Sequence, residues 1–282
     1  MFFEALLDAV LDTLKVLPFL FTAFLIMEAI EHYSNRYSNR ILAKVGKTAP
    51  LAGALLGCIP QCGFSAAAAN LYSGGFITLG TLLAVFLSTS DEAVLILMAH
   101  PGSGKAILSL LAWKIIIGIG AGFLTDILSA KRKQTAQMKE FCKNCGCSDS
   151  HGILRPALFH TIQLTVYLFL FTFCLDLALE FAGIEKLAMF LGKDTVFQPF
   201  LAALLGMIPN CAASVLITEL YLAGGLSFGS TIAGLCAGAG VGLAVLFRSN
   251  HSLRENLKIL SLLYTISVTA GILLDLTLQP IL

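Results

Sequence analysis

Six long apolar stretches, at residues 9–31, 76–98, 106–128, 157–181, 226–247 and 257–280, set the strongest limit on what this chain can fold into. Each reaches the 18 or so residues that a helix needs to cross a hydrocarbon core of about 30 Å. None alternates with period two as a barrel strand would, so the spans are expected to be helices. Composition agrees: 57% of residues are hydrophobic and 12% charged, with a mean hydropathy of +0.86, whereas soluble domains carry about a quarter charged residues. The chain is read as an all-α integral membrane protein. Glu4, Asp8 and Asp12 stand where a cleaved leader would carry basic residues, so the first span is expected to be retained.

The net charge of +1 offers no argument for nucleic acid or an acidic partner, and the basic residues matter for where they cluster. They lie in 32–47, 131–155 and 248–258, and loops of that kind tend to stay in the cytoplasm. Eight cysteines in such a chain do not imply a disulfide framework.

Two stretches repeat one another. "LLGCIPQCGFS" (55–65) and "LLGMIPNCAAS" (204–214) lie at an offset of 149 residues (206 − 57), and this offset aligns 57–101 with 206–250 without a gap. Gly57, Ile59, Pro60, Cys62, Ser65, Leu71, Tyr72, Gly75, Gly80, Ala84 and Leu97 each meet an identical residue. The same offset pairs Glu31 with Glu180, Pro50 with Pro199, Gly122 with Gly271 and Asp126 with Asp275. Shared hydrophobicity does not produce matched Pro, Cys and Gly, so the chain is read as one unit written twice. The expected organisation is membrane repeat 1 (1–128), a polar linker (129–155) and membrane repeat 2 (156–282).

Charge then sets the topology. If 49–72 crossed the bilayer, each half would have four crossings, and the basic segments 32–47 and 131–155 would fall on opposite sides. If 49–72 enters and leaves on one face, as half-helices hinged at "GCIPQCG", each half crosses three times and all three basic segments are cytoplasmic. Each arm has about 11 residues, about 16 Å of helix, which is half a bilayer. The fold class expected is two inverted structural repeats, each of three transmembrane helices plus a broken re-entrant helical hairpin, a plan known from secondary transporters. Parallel four-span repeats are the alternative that periodicity leaves open.

Proline removes an N–H donor and disfavours helix in the residue before it, so the helices should stop near Gly57 and Gly206. Backbone left without partners survives in hydrocarbon only where it is buried in protein or lines a wet cavity. The two hinges are therefore read as halves of a binding site, with Gln61, Cys62 and Ser65 facing Asn210, Cys211 and Ser214, and Cys58 nearby. The plainer reading is a pair of proline kinks with cysteines packed as small apolar residues.

A second constellation, "FLSTSDEAVL" (86–95), places Asp91 and Glu92 within the apolar stretch 76–98, where charge is costly and usually functional. Glu219 is read as a further buried acid that completes an oxygen-rich site with one of them. The alternative puts Asp91 and Glu92 at a solvated helix end. Lys114 is expected to snorkel to the membrane surface and Trp113 to sit at an interface. His32, His100 and His160 fall at span ends and are read as structural. In the linker, "CKNCGCSDSH" supplies Cys142, Cys145, Cys147 and His151, four soft ligands with metal-type spacing. Its expected task is metal capture or sensing on the cytoplasmic side; a cysteine-rich loop or a thiol redox pair are the alternatives.

With these residues in view, the chain resembles the ten-helix heavy-metal exporters, labelled manganese transporters or arsenic efflux proteins, and more distantly organoarsenical permeases. The resemblance is carried by 57–94, by the linker running into "HGILRPALFHT" (151–161) and by "GMIPNCAASVLITELYLAGG" (206–225), and covers essentially the whole chain. It implies efflux of a metal or metalloid without choosing the ion. Hard divalents such as manganese suit Asp91, Glu92, Glu219, Gln61 and Asn210, whereas arsenite, copper(I), zinc or cadmium suit Cys58, Cys62 and Cys211.

The expectation is thus a secondary transporter and not an enzyme, exporting a heavy-metal or metalloid ion, driven by protons or potential. No "GxxxxGK[ST]" segment is present for ATP coupling. No permanently bound cofactor is expected, and the partners are the bilayer and the ion, with no nucleic acid; a homodimer stays open. The expected location is the inner (plasma) membrane, multi-pass. The competing classes are a membrane thiol oxidoreductase using Cys142 and Cys145, and an anion permease using half-helix N-termini.

Overall fold

The computed structural model describes residues 48–59, 62–90, 93–99, 104–129, 197–209, 211–250 and 252–278, with scattered positions between 10 and 25 and between 154 and 174. Its first half contains α1 (Ala49–Gly57), α2 (Cys62–Ser73), α3 (Leu79–Ser88), α4 (Ala93–Ala99) and α5 (Gly104–Ser129). The second contains α6 (Gln198–Gly206), α7 (Cys211–Leu222), α8 (Phe228–Ala237), α9 (Val241–Ser249) and α10 (Leu253–Leu278). At the 149-residue offset the bounds of four helices coincide, and α9 outruns α4 by one residue at each end. The repeat is therefore structural as well as sequential.

The same chemistry starts α3 and α8. Thr78 and Ser227 are extended N-caps whose hydroxyl oxygens accept from Thr81 N and Ser230 N, at 3.0 Å in both. The two hydroxyls in turn donate to Asp126 and Asp275 at 2.8 Å. Before each cap, α2 and α7 end in matched turns on Gly75 (φ 76°) and Gly224 (φ 71°), where a side chain would be strained.

Packing shows the path of the chain. Gly53 lies beside Thr81 and Val85, and Gly57 beside Val85 and Ser88, so α1 and α3 run parallel. Both oppose α5, since Pro50 and Ala84 flank Gly122 while Ala54 and Ser88 flank Gly118. Two parallel neighbours joined by one helix require that helix to run back, so α2 returns the chain to the level where α1 began. The second half repeats this. Gln198 Nε2 donates to Gly225 O (2.8 Å) and accepts at Oε1 from Ser227 N (3.1 Å), placing the starts of α6 and α8 together, while Gly206 meets Gly234 at the far end.

The stretches 76–98 and 226–247 differ from the continuous helix that their length suggests. Each is broken, between Ser88 and Ala93 in one half and between Ala237 and Val241 in the other. In the first, Thr89 N, Thr89 Oγ1 and Ser88 Oγ all donate to Val85 O, at 3.0, 2.7 and 3.1 Å, and local bonds of this kind compete with helix continuation. In the second, Gly240 adopts φ 52°, which stops any helix.

Four stretches among the described residues are long and apolar enough to cross a bilayer. The broken ones, Leu79–Met98 and Phe228–Ser249, are 81% and 89% buried, whereas Gly104–Ser129 and Leu253–Thr277 are 28% and 33% buried. The broken spans are thus the centre, and α5 and α10 turn Leu108, Ile127, Leu128, Leu273 and Leu276 outward to lipid. This is a multi-pass membrane protein.

Contacts between halves are reciprocal: α2 packs on α9 and α7 on α4, α3 touches α10 and α8 touches α5, and α3 meets α8. Ser65 on α2 abuts Gly242 on α9, Ser249 Oγ donates to Asn70 Oδ1 (2.8 Å), and the Tyr72 hydroxyl donates to Glu255 Oε1 (2.8 Å).

Candidate functional site

The polar centre of the molecule is Lys114. The buried face of α5 reads Leu110, Lys114, Gly118, Ala121, Gly122 and Thr125, a helical stripe that carries the lysine inward with its glycines. Lys114 is 0% exposed, so the expected snorkelling to the membrane surface does not occur. Its ammonium donates to Thr89 O, at the end of α3, and to Leu235 O at 2.7 Å, in the last turn of α8. One lysine therefore joins the breaks of both halves.

The electrostatics explain how a buried ammonium is tolerated. Each helix C-terminus carries roughly half a negative charge on its unsatisfied carbonyls, so the two ends offset part of the charge of the lysine. An unpaired charge at this depth would be strongly unfavourable. A divalent cation within about 4 Å of the ammonium would meet a repulsion of about 8 kcal/mol at an effective dielectric of about 20.

Two thiols adjoin this cradle. Cys58, half-buried at the C-cap of α1, and Cys236, 0% exposed on α8, both lie within electrostatic reach of Lys114, and Cys236 also of Cys58. Both are free cysteines. The end of the first hinge arm in one half thus approaches the helix break of the other. At the repeat offset, Cys58, Lys114 and Cys236 correspond to Met207, Leu263 and Leu87, so the polar centre is asymmetric.

The residues expected from sequence fall into three groups. Ser65 is buried against Gly242, Ser214 is half-buried on α7, and Ser88, Thr89 and Ser90 are buried at 0%, 2% and 2% exposure. Cys62 and Cys211 open α2 and α7 as their first residues, so α1 and α6 do stop at Gly57 and Gly206, ahead of the prolines. The Cys62 and Cys211 side chains, Gln61, Asn210, Asp91, Glu92, Cys142, Cys145, Cys147 and His151 lie outside the described residues. Glu219 is the correction. It is exposed, because α7 turns Ile217 and Thr218 inward at that turn, whereas its counterpart Asn70 is buried. Among the described residues no three His, Cys, Asp or Glu side chains converge as a metal site would require.

Sequence reasoning missed Lys114 and Cys236. The signal for Lys114 was its four-residue spacing from Gly118 and Leu110, which puts it on the small-residue face. Cys236 lies in an apolar run and has no signal of its own.

Residues 1–280 are covered by one family: a family model described as "Putative, 10TM heavy-metal exporter" matches residues 1–181 and 157–280. No curated protein matches the chain, and no solved structure does.

Proposed function

This chain belongs to the 10TM heavy-metal exporter family, and on that premise we propose that it is a secondary transporter moving a heavy-metal or metalloid ion out of the cell along the seam between its two halves. The observation that carries this reading is the set of four helix interruptions, after Gly57, Ser88, Gly206 and Ala237, in matched positions of two related halves. Interrupted helices leave main-chain carbonyls and N–H groups without helical partners, and a membrane protein keeps them where they are buried in protein or line a cavity, as at the ion sites of transporters.

In this proposal α1–α2 and α6–α7 are re-entrant hairpins, a role supported by the parallel course of α1 and α3. Each half then crosses three times, and the second half is inverted. Gln61, Cys62, Ser65, Asn210, Cys211 and Ser214 line the path with Cys58. Asp91 or Glu92, which immediately precede α4 in sequence, binds the cation or exchanges a proton for it. Glu219, being exposed, serves at most as an outer contact. Cys142, Cys145, Cys147 and His151 gather the ion on the cytoplasmic side of the inner membrane, together with the basic segments 32–47, 131–155 and 248–258. Access alternates by rocking of one half against the other across the α3–α8 contact. The cargo class is a divalent transition metal such as manganese or zinc, or arsenite.

The test is transport by purified protein in liposomes, with a panel of ions and with or without a proton gradient. One metal or metalloid should be carried, faster with the gradient, and Cys62→Ala, Cys211→Ala and Asp91→Asn should each slow it by about tenfold or more. Wild-type rates in all three variants defeat the site, and no flux of any ion in the panel defeats the function.

A further inference from the structure

We propose that the carbonyl cradle formed by Thr89 and Leu235 is itself the cation position of the carrier, and that the Lys114 ammonium is a tethered stand-in filling it whenever cargo is absent. The inference rests on the transport reading above and adds the donor set and the resting occupant.

Three observations support it. The first is that the cradle is built from both halves, the Thr89 carbonyl ending α3 and the Leu235 carbonyl in the last turn of α8, so an occupant senses their relative position. A rocking motion between halves alters the cradle and hence its affinity. The second is charge. Two helix C-termini favour one cation, and Lys114, 0% exposed, already provides it. The repulsion between an ammonium and a metal ion at that distance makes the two occupants alternatives. Cargo enters as the flexible lysine side chain withdraws, and the empty carrier returns with its cradle still filled.

The third is the company the cradle keeps. Cys58 and Cys236 lie close enough to Lys114 to interact with it. With the ammonium withdrawn, a cation would find two carbonyl oxygens, with two thiols in the same neighbourhood. Zinc or cadmium, borderline to soft, fits that set better than manganese, which prefers oxygen throughout. The offset argument points the same way: Leu263, the counterpart of Lys114, is also 0% exposed but offers no charge, so the chain has one stand-in and not two.

The experiment uses the full-length protein in detergent, wild type and Lys114→Ala, with thermal unfolding followed against ethylammonium chloride. Tetramethylammonium chloride, which has no N–H to donate, is the control. Lys114→Ala should unfold at lower temperature and regain several degrees, saturably, with ethylammonium alone, while wild type does not move. Added Zn²⁺ should raise the ethylammonium concentration needed for half of that gain, as competition demands. No rescue, equal rescue by tetramethylammonium, or rescue indifferent to Zn²⁺ overturns the proposal. Unfolding needs no transport, so this result stands apart from whether the chain exports anything. Should Lys114→Ala not fold, Lys114→Arg decides: it keeps the charge, and its forked guanidinium holds both carbonyls too firmly to leave. It should remain folded while Zn²⁺ flux in liposomes falls by about tenfold or more, and wild-type flux would overturn the idea.

Discussion

The carboxylate of Asp126 accepts a 2.8 Å hydrogen bond from the backbone N–H of Gly80, so the first turn of α3 is closed by a side chain from α5. Asp275 does the same for Gly229 at 2.8 Å. N–H groups in a first turn have no partner within their own helix, and here an anion supplies one where the helix dipole is positive. Asp126→Ala and Asp275→Ala should each lower stability by about 1.5–3 kcal/mol, the usual worth of a hydrogen bond to a charged group. Thermal unfolding in detergent measures this. The corresponding Asn variants keep an acceptor and should lose less; wild-type stability in the Asn variants would show that the charge is irrelevant, and losses equal to those of Ala would show that the retained acceptor contributes nothing.

The aspartate cap requires glycine opposite it. A methyl on Gly80 would overlap the Gly122 carbonyl oxygen and come within 2.5 Å of the Asp126 carboxylate, and a methyl on Gly229 meets Gly271 and Asp275 in the same way. Backbone cannot yield as a side-chain tip can, so Gly80→Ala or Gly229→Ala should cost about 3 kcal/mol or more and reduce the folded yield sharply. Gly120, on the lipid side of α5, has nothing within 4 Å of a built methyl. Gly120→Ala should therefore stabilise by about 0.5–1 kcal/mol. Size-exclusion yield and unfolding temperature distinguish the two classes, and similar behaviour of all three variants would refute the packing of α3 on α5.

How far sequence reached can be judged residue by residue. The matched pairs Gly57 and Gly206, Gly80 and Gly229, and Asp126 and Asp275 made the duplication visible, because close approach and capping depend on identities that hydrophobic drift does not preserve. The breaks at Pro60 and Pro209 were legible because proline acts locally. The breaks in α3–α4 and α8–α9 were not. Ser88 and Thr89 stop a helix only through bonds to Val85 O, and a Gly-rich run can equally be a packing face. Lys114 was misjudged because snorkelling depends on which way a helix face turns. Glu219 failed for the complementary reason, since hydrophobic surroundings in sequence do not say whether a side chain faces lipid, water or protein.

The halves are also joined at the level of α2 and α10, where Tyr72 donates to Glu255 at 2.8 Å. Tyr72→Phe and Glu255→Ala each remove that hydrogen bond, and the pair should be non-additive, with a coupling of about 0.5–2 kcal/mol in a double-mutant cycle. If the halves rock, the same variants should change the rate of ion exchange in liposomes more than the affinity for the ion. Additive losses of stability would mean that the two side chains act separately.

The linker thiols allow a prediction that needs no transport assay. Cys142, Cys145, Cys147 and His151 offer four ligands within ten residues, and a thiol or imidazole must lose its proton before it binds metal. Free cysteine and histidine hold their protons below about pH 8.5 and pH 6.5, so Zn²⁺ affinity at this segment should fall steadily as pH drops from 8 to about 6. Cys142→Ser combined with Cys145→Ser removes half of the set and should weaken Zn²⁺ binding by about a hundredfold or more. Equilibrium dialysis should show one fewer tight Zn²⁺ per chain. If a double variant retains full stoichiometry at pH 8, tight zinc must be held elsewhere, and the cradle around Lys114, Cys58 and Cys236 would be the first place to measure it.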